Sequence, residues 1–225
     1  MKNWKCISLL SSAVLFAAGV SGVAAVSVAN GDFEQDTALF TVWPGYTDGG
    51  GVNPSNIPGW TGEGGRGINP VVPNGPGDAP FRDNGTNATS IAFLQGNSSI
   101  SQQLTGFSVG VIHVISLDFN SRNCCGAFPI GEIAIDDIVL ASSADLFPAP
   151  GVVPPVGDNP WYTADIPFLA TSDTHVLTIR SIVPEGDATL LVDNISVAPI
   201  PEPVTLSLLL AGGLGLLALR RRRRK

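Results

Sequence analysis

"GVIHVISLDFN", Gly110 to Asn120, sets Ile115, Leu117 and Phe119 at alternate positions, with Ser116, Asp118 and Asn120 between them. Successive side chains of a β-strand point to opposite faces, so this stretch reads as a strand with one face buried and the other in water. "GEIAIDDIVL" (131–140) and "ATLLVDNISV" (188–197) carry the same pattern. Outward from these three, the composition predicts strands at 26–29, 90–94, 98–104, 111–119, 131–140, 161–168, 175–182 and 188–197. Between its two ends the chain shows no 3.6-residue apolar period. The expectation is an all-β sandwich of short strands joined by turns.

Two stretches interrupt the strands. Between Pro44 and Thr89 fall 12 of the 26 glycines and 7 of the 18 prolines, a density that opposes regular strands and predicts a long loop over 44–89. "DLFPAPGVVPPVGDNP" (145–160) predicts a second, shorter loop.

Charge is unevenly spread. The net value is -7, yet between the ends the only basic residues are Arg66, Arg82, Arg122 and Arg180, against all 19 acids except Glu202. Such a field repels nucleic acid and anionic lipid and favours cations, so nucleic-acid binding is excluded.

The N-terminus supplies Lys2 and Lys5, an apolar stretch from Ile7 to Val20 and then small residues, the order of a secretory signal ending at Ala25. Of the three cysteines Cys6 leaves with it, and Cys124 and Cys125 are neighbours. In an oxidising compartment such a pair is open to three fates: a strained disulfide with each other, pairing with another chain, or two plain thiols.

At the other end stands "IPEPVTLSLLLAGGLGLLALRRRRRK" (200–225). Its apolar run, 204–219, would give about 24 Å of helix, short of the hydrocarbon thickness of about 30 Å. Gly212, Gly213 and Gly215 weaken it further. The basic block 220–225 orients it with everything before Pro201 outside. A short, oriented hydrophobic tail suits a temporary hold.

Pro201-Glu202-Pro203, the apolar run and the arginine cluster together resemble a PEP-CTERM sorting signal. That resemblance implies a Gram-negative exported protein, held transiently in the inner membrane and cut by an exosortase at or near Pro201-Glu202-Pro203. It also implies a place at the cell surface or in the extracellular matrix, in association with exopolysaccharide and biofilm. The implied organisation is a signal peptide over 1–25, a β-sandwich over 26–200 and a sorting tail over 201–225.

"NGDFEQ" after the first strand, "IPGW" later and "LLVDNISV" at the close resemble the galactose-binding-like jelly-roll domains of many carbohydrate-binding modules. The implied fold is a jelly-roll β-sandwich flanked by an N-terminal signal helix and a C-terminal hydrophobic helix. Because the ends of a jelly roll meet, Asp32 and Glu34 are expected near Asp193, where related modules hold a structural calcium among hard oxygens. Asp136-Asp137 is a weaker candidate, one carboxylate facing each side of a strand. For glycan stacking, Trp43 and Tyr46 are the candidates, with Asn and Asp close by. Trp60 and Trp161 are expected in core or rim packing.

His113 and His175 fall within expected strands and read as structural. No serine elbow, metal-ligand pair or phosphate loop is present in the sequence. The expectation is therefore a non-catalytic exported matrix or surface protein. The alternative is a carbohydrate-binding module for a polysaccharide, with or without dependence on calcium, and the remote one a glycoside hydrolase, which needs two carboxylates across a cleft.

Overall fold

The computed structural model describes residues 25–40, 44–47, 54–69, 89–122, 125, 127–147, 151–155 and 161–200. Both expected flanking helices, in 1–24 and 201–225, lie outside them, as does most of the expected 44–89 loop. Eight strands follow in order: β1 (Thr61–Asn69), β2 (Ile91–Thr105), β3 (Ile112–Ser121), β4 (Ile130–Ile135), β5 (Ile138–Ser142), β6 (Tyr162–Leu169), β7 (Thr174–Ile182) and β8 (Thr189–Pro199). One helical turn, α1 (Ser143–Leu146), follows β5.

The long strand β2 organises the whole. Its residues 92–95 pair with β8, and its residues 98–105 pair with β7. Between them Gly96 sits at φ 64, a conformation that costs glycine little, and takes the corner without ending the strand. The path therefore divides into β2–β8–β3–β6, the first sheet, and β2–β7–β4–β5, the second. Every pairing is antiparallel. Eight strand segments wound in this order, two sheets of four sharing one bent strand, form a jelly roll, as the sequence implied.

Alternation fills the space between the sheets. Ile115, Leu117 and Phe119 of β3 and Leu190, Val192, Ile195 and Val197 of β8 face Ile133 and Ile135 of β4 and Leu177 and Ile179 of β7, all buried. Each such side chain, fully buried, contributes about 1.5–3 kcal/mol. At one end of the sandwich the rings of Phe107, His113, Phe168 and His175 pack together, with centroids 5.0–6.0 Å apart.

Four strand expectations change. Residues 26–29 form only a bridge, Val26 to Val197. The Gln102 side chain takes the backbone that would have paired there, accepting from Ala29 N–H at 2.8 Å and donating to Ala29 C=O at 2.9 Å. The two expected strands 90–94 and 98–104 are one strand, joined through Gly96. The expected strand 131–140 is a hairpin, because Asp136 (φ 49) and Asp137 (φ 64) make a two-residue turn between β4 and β5. The two carboxylates thus sit on a turn rather than on opposite faces of a strand. Finally, β1 lies within the expected loop. Its sequence, "TGEGGRGIN", carries four glycines and almost no apolar pattern, and its order comes from pairing along β2.

Candidate functional site

The first sheet has one face in the core and one outside. On the outer face the pairings line up a row across the sheet: Tyr46 bridges Gly67, Gly67 pairs with Phe93, Phe93 with Leu191, and Leu191 with Asn120. Trp161, just before β6, packs with Tyr46 against Ile91, Phe93 and Leu191, a cluster separate from the main core. The row spans about 20 Å at about 4.8 Å per strand spacing.

Gly67 makes the row possible. A Cβ there would fall 2.0 Å from the Gly45 carbonyl oxygen and 2.7 Å from the Phe93 ring. With no side chain at that place, the Tyr46 ring meets Phe93 edge-on at 5.0 Å. The segment carrying Tyr46 is tied to β1 as an added edge: Thr47 N–H donates to Arg66 C=O, Ile68 N–H to Gly45 C=O, and the Asn69 amide to Pro44 C=O.

Polar groups flank the aromatics on both sides. On one, the Asp187 carboxylate accepts from Arg122 Nη2 at 2.7 Å and from Gln95 Nε2 at 2.9 Å. The Arg122 hydrogen bond holds that carboxyl below its ordinary value, against burial, with help from Gln95. Burial raises the Tyr46 phenol, which also feels Arg122 and Asp187, and so its hydroxyl end belongs to this group. On the other side Asp118 accepts from Thr163 Oγ1 at 2.6 Å and Asn194 Nδ2 at 3.0 Å. The Trp161 indole N–H is buried and has no acceptor among the described residues.

Tyr46 is half-buried, packed on this cluster. Trp43 lies outside the described residues. Trp161, expected in core or rim packing, joins the same face as Tyr46; its position one residue before a strand of known alternation was the signal that could have placed it. Trp60 is buried against Phe33 and donates its N–H to Asn30 C=O, a packing role as expected.

The expected calcium group is partly assembled. Glu34 Oε1 accepts from Ser90 N–H at 2.5 Å, and Asp193, fully buried, accepts from Asn194 N–H at 2.8 Å and Thr89 Oγ1 at 3.4 Å. The two carboxylates therefore approach the neighbouring residues Thr89 and Ser90. Asp32 is exposed and its Oδ1 lies 3.5 Å from Glu34 N–H. Among the described residues no three His, Cys, Asp or Glu side chains gather to hold a metal ion.

Both histidines are buried. His175 Nε2 accepts from Ser172 N–H at 3.2 Å and Nδ1 donates to Asp136 Oδ2 at 2.6 Å, so neither nitrogen is left for proton transfer to a substrate. Burial pushes the Asp136 carboxyl up, but donation from Val176 N–H and His175 outweighs it and holds the group low. His113 donates Nδ1–H to Val111 C=O at 3.1 Å. Cys125 is an exposed, free thiol, and Cys124 lies outside the described residues. The sorting motif Pro201, Glu202, Pro203 lies outside them too. Among the described residues no helix is long and apolar enough to cross a membrane.

No protein-family model matches the chain, and no curated protein does. Among solved structures, similarity is found to the CBM22-1 and GH10 modules of Clostridium thermocellum endo-1,4-beta-D-xylanase 10B complexed with xylohexaose, at 13% identity and a TM-score of 0.42. That match covers 66% of this chain and 27% of the other. TmCBM61 in complex with beta-1,4-galactotriose matches over 76% of this chain and 96% of its own, at 11% identity and a TM-score of 0.43. The CBM22-1 xylan-binding domain of Paenibacillus barcinonensis Xyn10C matches over 64% and 88%, at 15% identity and a TM-score of 0.41.

Proposed function

We propose that this chain is a non-catalytic carbohydrate-binding module, carried by an exported protein, that holds a polysaccharide across the outer face of its first sheet. One observation carries the reading: Tyr46 and Trp161, both half-buried, cover the buried Phe93 and Leu191 on the outer face of the first sheet, with hydrogen-bonding groups on each side. Sugar rings stack an apolar face on such rings while their hydroxyls bond to polar neighbours. Gln95, Asp187 and Asp118 are those neighbours here.

The sorting tail supplies the address in this proposal. An exosortase cuts near Pro201-Glu202-Pro203, the inner membrane holds the protein until then, and the freed domain joins surface or matrix exopolysaccharide. The charge excess argues against nucleic acid as a partner.

The test is retention on immobilised polysaccharide, with xylan and a beta-1,4-galactan as first probes because neighbouring folds are described with such ligands. Binding that Tyr46→Ala and Trp161→Ala both abolish supports the platform; binding untouched by either removes it. Calcium enters the proposal only as far as Glu34 and Asp193 reach. A melting temperature lowered by chelator supports a structural ion at that junction, and an unchanged one ends the idea.

A further inference from the structure

The strands of the first sheet end together at one pole of the sandwich, and that pole is greasy. Val109 is 64% exposed, Ile112 47%, Leu169 56% and Ile200 44%. Ile112 pairs with Leu169, Ile200 N–H donates to Ile112 C=O, and Gly110 N–H beside Val109 donates to Ala170 C=O, so the four are neighbours. Ile138, 68% exposed, stands on the turn of the β4–β5 hairpin, which reaches Val176 near the start of β7 at the same pole. Exposed apolar side chains gathered this way mark a contact surface.

The chain itself says what lies beyond. β8 leaves the domain at this pole, and Val26 bridges Val197, so both flanking segments depart from one end. Only Pro201, Glu202 and Pro203 separate Ile200 from the apolar run at Val204. Fully extended, that link spans about 14 Å, and its two prolines restrict it. Once the run enters a bilayer, this pole is the part of the domain that meets the headgroups.

We infer that Val109, Ile112, Leu169 and Ile200 form a seat for a lipid surface, on which the domain rests before its tail is cut. The inference rests on the membrane-held tail of the proposed function. Apolar side chains entering the interface gain burial, and a stiff link keeps them there. Asp173 at the same pole opposes an anionic surface, while Asp136 is paired to His175 and Asp137 to Arg180. The seat therefore fits zwitterionic lipid. The glycan row crosses the same sheet eight residues along β3 from Ile112, at Asn120, toward the opposite pole.

The full chain, reconstituted in phosphatidylcholine vesicles, tests this. Val109→Trp places a reporter on the seat, and Glu185→Trp places one in the exposed turn between β7 and β8 at the opposite pole. Brominated phosphatidylcholine should quench the first at least twofold more than the second, each read above the parent chain. Adding Ile112→Ser and Leu169→Ser should reduce that difference, and vesicles rich in phosphatidylglycerol should not enlarge it. Equal quenching of the two reporters, in a protein that floats with the vesicles, overturns the seat and leaves the tail reading standing. Failure to float overturns both.

Discussion

Across the outer face of the first sheet the cross-strand row runs Tyr46, Gly67, Phe93, Leu191, Asn120; across the outer face of the second it runs Thr61, Ser101, Thr178, Ala134. The same strand, β2, contributes to both, Phe93 before its corner and Ser101 after it. In the second row Ser101 and Thr178 share a hydroxyl hydrogen bond at 3.0 Å, and Thr61 Oγ1 donates to Ser101 C=O. Small hydroxyls of this kind suffice to finish a solvent face, since cross-strand pairs are worth only about 0.2–1 kcal/mol. The jelly roll thus asks nothing aromatic of its outer faces. The first face instead buries Phe93 and Leu191 in a small cluster of its own and leaves Tyr46 and Trp161 half-exposed over it.

The sharpest way to break that contrast is to strip the two faces in turn. Tyr46→Ala with Trp161→Ala should weaken polysaccharide retention by about tenfold or more, as loss of an anchoring aromatic costs on the order of 2 kcal/mol. Ser101→Ala with Thr178→Ala should leave retention unchanged and shift stability by about 1 kcal/mol or less. If the hydroxyl face instead carries retention, the assignment of the faces is reversed. Gly67→Ala comes next. Its new Cβ meets the Gly45 carbonyl, so the edge segment must shift, costing about 1–3 kcal/mol in denaturant unfolding and displacing Tyr46. Normal stability together with normal retention would deny Gly67 its part.

The smallest effect concerns pH. The Asp187 carboxyl lies below its ordinary value of 3.8, so what it contributes is fully present above that value and fades as pH falls through the folded one. The melting temperature should decline below about pH 4, and Asp187→Asn should flatten part of that decline. Asp136, also held low, keeps the rest. Because Asp187 is largely exposed, the flattening will be slight.

Where side chains alternate, the sequence is a good guide. Ile115, Leu117 and Phe119 announced their strand, and the class of fold followed from a handful of such segments. The errors share a cause. Gly96 reads as a break in any local window, yet it lets β2 turn a corner because β7 and β8 hold its two halves. β1 has no pattern of its own and depends on its partner strand. Asp136 and Asp137 look like strand residues until both adopt positive φ.

The candidate site was half legible for the same reason. Tyr46 could be suspected from its residue type and its polar neighbours. That it packs on the same cluster as Trp161, 115 positions later in the chain, depends on how β2 and β8 pair to set Phe93 beside Leu191. Of the expected calcium group, Glu34 and Asp193 reach the consecutive residues Ser90 and Thr89, while Asp32 is exposed in a turn whose Phe33 has φ 53, a local geometry no spacing rule supplies.

The position of β8 has one more consequence. The strand that leads to the tail is bonded to β2 on one side and β3 on the other. Tension between a polysaccharide on the sheet and a tether at Ile200 would pull β8 along its own axis. Antiparallel hydrogen bonds lie perpendicular to that pull and share it in shear, with β3 on one side and, at the inner end, β2 on the other. A terminal edge strand would peel away one bond at a time; this one is held by β3 over 190–199, by β2 over 189–192 and by the Val26 bridge at Val197. The domain is built to bear load at the end from which it is held.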